Sequence, residues 1–543
     1  MKNVNSPRLL FQFLLICSGV LLLILSSCSE EKEVSDFTRP NILILMADEV
    51  SFPHMSAYGT TWVNTPTFDR VATEGLLFLN AYTPNAKCAP SRAIFLTGRN
   101  SWQLEEAGNH MPYFPEKYVS FMEVLKDAGY FTGHTLKGWS PGNPGTKDGK
   151  RRELTGKAYN DRKLVPPTSE ISNMDYASNF KDFLNDKPKK QPFSFWFGSI
   201  EPHRAYEFGS SITQGKNPEE ITSVPAFWPD NDSVRIDLLD YALELEYFDK
   251  QAGLMLAELE KMGELENTIV IITADNGMPF PRAKGQAYEF SNHLPLAIMW
   301  PKGINKPGRK IKDFVSFLDI APTVLEAAGL SIEDTSMQPI TGQSLVEIFE
   351  SEKEGQINPN RNHVLIGKER HDVGRPNDVG YPIRGIIKDG YLYIKYFETE
   401  RWPSGNPETG YLNTDGGATK SVILNLRRSG ENSSFWQLNF GKRMQEELYD
   451  ISKDPECLEN LALKPEFNHI LSSLSNQLTK ELTEQNDPRM FGQGELFDNY
   501  PYSNKADSAF YSRYMNGEKM NAGWVNPSDF EKNLSINSKS TTL

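Results

Sequence analysis

Two short apolar runs set the architecture. Asn41-Ile42-Leu43-Ile44-Leu45-Met46 and Thr268-Ile269-Val270-Ile271-Ile272-Thr273 lack the apolar–polar alternation of a half-exposed strand. Strands of that kind are covered on both faces, as in the centre of a parallel sheet packed between helices. Each run ends in polar groups, Ala47-Asp48-Glu49 after the first and Ala274-Asp275-Asn276-Gly277 after the second. A third strand is expected over 192–200, ending at Glu201-Pro202-His203. Open α/β sheets bind ligands at the carboxyl ends of their strands, so these ends predict one shared site.

Helices fit between the strands. They are expected over 67–74, after Ser91, over 117–128 (Val119, Phe121, Met122 and Leu125 on one face), and from a cap at Asp232-Ser233 to about Met262. The fold class that follows is α/β: a large, mixed, mostly parallel sheet flanked by helices. Composition shifts near residue 350, at Ser351-Glu352-Lys353-Glu354-Gly355. Beyond it, a hairpin over 385–397 turning at Asp389-Gly390 and a helix over 465–481 predict a smaller C-terminal α+β domain. The expected division is 40–350 and 351–485. The stretch 486–543, rich in Asn, Tyr, Ser and Pro, has no evident role. A chain of 543 residues can bury both cores.

The N-terminus reads as an export leader. Lys2 and Arg8 precede an apolar run from Leu9 to Leu25, and Leu25-Ser26-Ser27-Cys28 resembles a bacterial lipobox. A transmembrane anchor is the alternative. The abrupt stop at Cys28 and the acidic Ser29-Glu30-Glu31-Lys32-Glu33 favour a leader over 1–27, lipidation of Cys28 and a tether over 28–39. The expected location is a bacterial outer membrane, reached through the lipid alone, on the cell surface or the periplasmic face. With 57 Lys+Arg against 71 Asp+Glu, the formal charge is −14, which argues against nucleic-acid binding. An anionic substrate would have to be held by a few local cations. Of four cysteines, Cys17 leaves with the leader and Cys28 is acylated, so Cys88 and Cys457 give no disulfide framework.

Cys88-Ala89-Pro90-Ser91-Arg92, followed by Leu96-Thr97-Gly98-Arg99, puts a thiol beside a helix start, whose positive end favours anions. Asp48, Glu49, Asp275 and Asn276 are oxygen donors, a hard set suited to Ca²⁺ or Mg²⁺ rather than zinc. His203 is positioned for general-acid work.

The Cys88 segment resembles the signature of the sulfatases, alkaline-phosphatase-like enzymes whose cysteine is converted to formylglycine (3-oxoalanine). The resemblance runs over about 40–485. Pro40-Asn41-Ile42, Ala128-Gly129-Tyr130, Asp275-Asn276-Gly277, Leu318-Asp319-Ile320-Ala321-Pro322-Thr323 and Glu447-Leu448-Tyr449-Asp450 all fall in sulfatase order. Within that family the chain is most similar to the sulfamidases (heparan N-sulfatases) and their bacterial polysaccharide-degrading relatives. Asp275 to Pro281, Pro202-His203-Arg204 and Arg370-His371-Asp372-Val373 carry that likeness.

The resemblance implies that one hydroxyl of the hydrated aldehyde attacks sulfur and that the other then loses a proton to expel sulfate. It gives Arg92 the task of neutralising charge at the nucleophile. Lys137 and Lys284 hold sulfate oxygens, and His203 protonates the leaving group. Asp48, Glu49, position 88, Asp275 and Asn276 bind one Ca²⁺, with Mg²⁺ the lesser candidate. Arg370, His371 and Arg384 either read the sugar beside the sulfate or form a buried salt-bridge network. The implied partners are a sulfated saccharide and, transiently, a formylglycine-generating maturase. A heparin-type N-sulfate and the O-sulfate of an algal glycan such as ulvan both fit.

Two positions depart from the pattern. Glu49 stands where Asp is usual, and Leu136-Lys137-Gly138-Trp139 lacks the usual histidine, for which His110 and His134 are the candidate replacements. Two other readings compete. A phosphomonoester or phosphonate hydrolase would share the sheet, but no histidine-rich second metal set is present. A non-catalytic glycan-binding lipoprotein would have a disabled site, against which the retained Asp48, Arg92, Lys137, His203, Asp275 and Lys284 argue.

Overall fold

The computed structural model describes residues 39–531. The expected leader, Cys28 and the tether up to residue 38 lie outside the described residues. The main sheet has eight strands: β1 (Asn41–Ala47), β2 (Leu76–Tyr82), β3 (Phe131–Leu136), β4 (Lys157–Ala158), β5 (Phe193–Gly198), β6 (Thr268–Ala274), β7 (Leu296–Met299) and β8 (Arg309–Ser316). Their spatial order is β8-β2-β7-β6-β1-β5-β3-β4. β7 runs antiparallel to its neighbours β2 and β6, and the other pairs are parallel.

The two apolar runs are adjacent, with Asn41 opposite Thr268 and Ala47 opposite Ala274. Alternate side chains of β1 enter opposite cores. Leu43 and Leu45 pack with Phe195, Phe197 and the long helix Asp232–Met262. Ile42, Ile44 and Met46 pack with Ala93 and Ile94 of helix Cys88–Thr97 and with Ala321 and Val324 of helix Ile320–Ala327. Burial on both faces is why the strand carries no polar alternation; each such side chain contributes about 1.5–3 kcal/mol.

Local capping moved several expected boundaries. The helix expected over 117–128 spans Phe121–Asp127, because Ser120 and Glu123 form a reciprocal capping box that leaves 117–119 outside. The long helix is capped by Asn231, whose side chain accepts from the Val234 amide at 3.1 Å, rather than by Asp232-Ser233. The helix expected after Ser91 begins earlier, at Cys88 itself.

A second sheet contains β9 (His363–Lys368), β10 (Ile383–Lys388), β11 (Tyr391–Tyr396) and β12 (Glu446–Asp450), antiparallel in that order. Its expected hairpin turns at Asp389 (φ 52°) and Gly390 (φ 78°), the pair of left-handed residues that a two-residue turn requires. Helix Asn468–Glu484 covers one face through Leu474, Leu478 and Leu482, against Ile386, Tyr393 and Leu448.

Candidate active site

The site grows from the sheet's carboxyl edge. Past the last pairs of β1, β3, β5 and β6, main-chain hydrogen bonds hold the ends level: Asp48 N to Glu201 O at 3.0 Å, Asp275 N to Ala47 O at 3.2 Å and Lys137 N to Gly198 O at 3.0 Å. Asp48, Glu49, Asp275 and Asn276 are thereby brought together, all fully buried. Glu49 adopts φ 77°, a left-handed conformation uncommon for a residue with a Cβ, and its amide donates to Asp275 Oδ1 at 3.1 Å.

Helix Cys88–Thr97 delivers the thiol and the guanidinium on the same side. Cys88 Sγ lies 3.6 Å from Glu49 Oε1. One turn on, Arg92 Nε donates to Asp275 Oδ2 at 2.8 Å, Nη2 lies 3.5 Å from Asp48 Oδ1, and Nη1 donates to the carbonyls of Lys137 and Gly138. The helix stops at Gly98, which needs φ 66° and whose missing Cβ would stand 2.6 Å from Ile340 Cγ2. Lys137 Nζ pairs with Asp48 Oδ2. Lys284 Nζ bridges Glu49 Oε1 and Asp415 Oδ2 and lies 3.2 Å from His203 Nε2. His203 Nε2 is 3.7 Å from Glu49 Oε1.

These contacts set the charge states. Burial raises the Asp48 carboxyl, but the charges of Lys137, His203 and Arg92 outweigh it and hold it at about 2. Asp275 is pushed up, by burial and by Asp48. Burial also pushes the Cys88 thiol well above its ordinary range, and the surrounding carboxylates add to that.

Two oxygens test whether a metal fits. Glu49 Oε2 and Asn276 Oδ1 are buried with no hydrogen-bond partner, whereas buried polar atoms are nearly always satisfied. The ligand atoms of Asp48, Glu49 and Cys88 lie within 4.8 Å of one another. Bare oxygens beside three carboxylates suit a hard cation.

Comparison with known proteins places the chain. Residues 40–330 match the sulfatase family model, and residues 283–403 match that of the N-sulphoglucosamine sulphohydrolase C-terminal region. The chain belongs to the sulfatase family. It is 28% identical over 505 residues to N-sulphoglucosamine sulphohydrolase of Homo sapiens, covering 86% of this sulfatase and 93% of that protein. An ulvan-active sulfatase of Formosa agariphila is 25% identical over 511 residues, covering 85% and 77% respectively. The fold is also that of a structure solved in complex with D-glucosamine-2-N,6-O-disulfate, at a TM-score of 0.58, 20% identity, and coverage of 83% and 98%.

The cavity of this sulfatase, about 180 Å³, is lined by Cys88, Lys137, His203 and Lys284 among others. Arg370, His371 and Arg384 are not among its lining residues. Arg384 is fully buried between Asp487 and Glu369, the salt-bridge alternative, and its charges are consumed there. Arg370 donates to the carbonyls of Tyr500 and Pro501, and His371 Nε2 pairs with Asn85 Oδ1 at 2.6 Å. Of the two candidate histidines, His110 lines the cavity, held by Asp372 at 2.9 Å, while His134 bonds the Gly156 carbonyl at 3.0 Å beside a different pocket. Trp139 packs edge-on against Phe114 and donates to the Ala89 carbonyl at 3.2 Å, bracing the start of the Cys88 helix. Asp415, Lys87 and Asp372 also line the cavity. Sequence reasoning did not select Asp415 or Lys87, and it named Asp372 only within the Arg370–Val373 segment. Asp415 sits in Thr414-Asp415-Gly416-Gly417, which reads as a turn, and nothing local signals its pairing with Lys284.

Proposed function

We propose that this sulfatase removes sulfate from a sulfated saccharide, using formylglycine at position 88 and one Ca²⁺. The observation that carries the reading is the convergence of Cys88, Lys137, His203 and Lys284 on one cavity directly above the acidic strand ends. Oxidised to formylglycine, position 88 would supply a hydrated aldehyde, with one hydroxyl to attack sulfur and a second to release it. Asp48, Glu49, Asp275 and Asn276 would hold the cation, which supplies positive charge for the sulfate oxygens; their all-oxygen set suits Ca²⁺ better than the octahedral demands of Mg²⁺. Arg92 balances Asp48 and Asp275 under the nucleophile. Lys137 and Lys284 face the sulfate as it leaves, preorganised by the carboxylates that already hold them. His203, with Nε2 turned toward Lys284 and Glu49, hands its proton to the departing oxygen or nitrogen.

Most of the relatives' names carry a sulfated sugar or glycan, and an exported, lipidated enzyme of the outer membrane suits extracellular glycan breakdown. A formylglycine-generating maturase would act on Cys88 before folding encloses it. Sulfate release from heparin disaccharides and algal oligosaccharides, measured by ion chromatography on protein co-expressed with that maturase, tests the reading. Release from N-sulfated glucosamine alone makes the enzyme a sulfamidase, and release from O-sulfated fragments alone makes it an O-sulfatase. No release from either, with the aldehyde verified, contradicts the reading.

A further inference from the structure

Residues beyond Asp487 form a wall of the active-site cavity. They are fastened on both sides of it. Arg370 Nη1 donates to the Tyr500 carbonyl at 2.7 Å, the Gly380 amide to Asp498 Oδ1 at 2.7 Å and the Ser503 amide to the Met111 carbonyl at 2.9 Å. Further on, Trp524 Nε1 donates to the Leu412 carbonyl at 2.8 Å, and the Gly416 amide to the Trp524 carbonyl at 2.8 Å. A buried ion pair between Lys420 and Asp529, at 3.1 Å, secures the far end. Tyr502, Phe510, Ala522 and Val525 give the segment its own small core against Val373 and Leu412. Between these fastenings Tyr502, Asn504, Asp507 and Trp524 line the same cavity as Cys88.

Asp507 differs from the other carboxylates there. Asp372 is paired with Lys87 at 2.7 Å and Asp415 with Lys284. Asp507 forms no ion pair within 4 Å among the described residues; its Oδ2 accepts a hydrogen bond from Asn504 Nδ2 at 2.5 Å. With no direct ion pair and only the longer-range charge of Arg513 to offset it, a carboxylate in the same cavity as Lys137 and Lys284 welcomes a hydroxyl or ammonium and repels a second anion. Trp524 packs in part against that small core and in part borders the cavity, and with its ring nitrogen already satisfied the part that borders the cavity is apolar surface for a sugar ring. The cavity, about 180 Å³, adjoins a second of about 370 Å³ that shares Lys137, Pro141 and His203 with it, so the wall borders one side of a larger open cleft.

We propose that this C-terminal segment determines substrate choice: Trp524 packs the ring of the sulfated sugar, and Asp507 with Asn504 selects one that carries a single sulfate and uncharged or cationic groups beside it. The proposal rests on the sulfatase reading above. The test compares kcat/KM on a monosulfated glucosamine disaccharide and its disulfated counterpart for the parent, Asp507→Asn and Trp524→Ala, with circular dichroism verifying the fold. The parent is expected to prefer the monosulfated substrate, and Asp507→Asn to narrow that preference by about tenfold, equivalent to about 1.4 kcal/mol. Trp524→Ala is expected to raise KM by about tenfold or more on both. Unchanged preference in Asp507→Asn together with unchanged KM in Trp524→Ala overturns the proposal. Calorimetric binding of the same saccharides to Cys88→Ala protein, with and without each wall substitution, separates the two readings. Wall-dependent binding without turnover in the parent leaves the wall standing and removes the chemistry. Wall-independent binding removes the wall.

Discussion

Two of the buried ionic clusters among the described residues are built to opposite ends. Beside the second sheet, Arg384 meets Asp487 and Glu369 at 2.7 Å each, and Arg489 meets Glu369 at 2.5 Å. Two cations face two anions, and none of the four side chains has a bare buried nitrogen or oxygen. At the edge of the main sheet, Asp48, Glu49 and Asp275 crowd around Arg92, Lys137 and Lys284, yet Glu49 Oε2 and Asn276 Oδ1 have no partner. The first cluster is closed and has nothing left to offer a ligand. The second keeps unused oxygens and opens onto a cavity. Arginine in a motif thus says little about function until its remaining valences are counted.

The comparison can be broken most easily at Cys88. Cys88→Ala is expected to reduce turnover by about 10⁴-fold or more while leaving Tm near that of the parent; turnover at the parent's rate would move the reaction centre elsewhere. Next in size is the closed cluster. Arg384→Ala should cost about 3–5 kcal/mol in chemical denaturation, because Asp487 and Glu369 would be left buried without their counter-ion. Its folded fraction should keep the parent's kcat, and a loss of kcat with full stability would make Arg384 a substrate contact after all. Lys284→Ala should lower kcat by about 10²–10³-fold, the usual loss for one preorganised charge-stabilising donor. Adding Ca²⁺ to chelator-treated protein should raise Tm, corresponding to about 2.7 kcal/mol at a hundred times Kd, and Asp275→Asn should erase that rise.

The smallest effect is a pH dependence. Burial opposes ionisation of Asp415, but Lys284 holds its carboxyl at about 2, below the ordinary 3.8. A depressed folded-state value means that this pair stabilises fully above about pH 4 and is lost as pH falls toward 2. Asp415→Asn should flatten the stability profile in that window. An unaltered profile would show that the pair contributes nothing there.

Much of the fold was legible because its signals are local. β1 and β6 announced themselves by unbroken apolar runs, and Asp48, Glu49, Asp275 and Asn276 followed from where those runs stop. Cys88 and Arg92 lie one helical turn apart, so their shared direction was also readable. What failed to show depends on partners distant in sequence. Asp487 lies 103 residues from Arg384, and Asp415 lies 131 residues from Lys284. No periodicity connects such pairs, so Arg384 was open to a reading as a sugar contact and Asp415 to none. The C-terminal wall was invisible for a related reason: its course is set by isolated hydrogen bonds, one ion pair and a small apolar cluster with partners distant in sequence, not by a repeating pattern.

The central claim is that position 88 works as an aldehyde. Its most direct test is to prepare the protein at graded formylglycine occupancy, by varying maturase co-expression, and to plot sulfate release against occupancy from intact mass. The account predicts a line through the origin, with unmodified Cys88 protein inactive. Release that is independent of occupancy would contradict it.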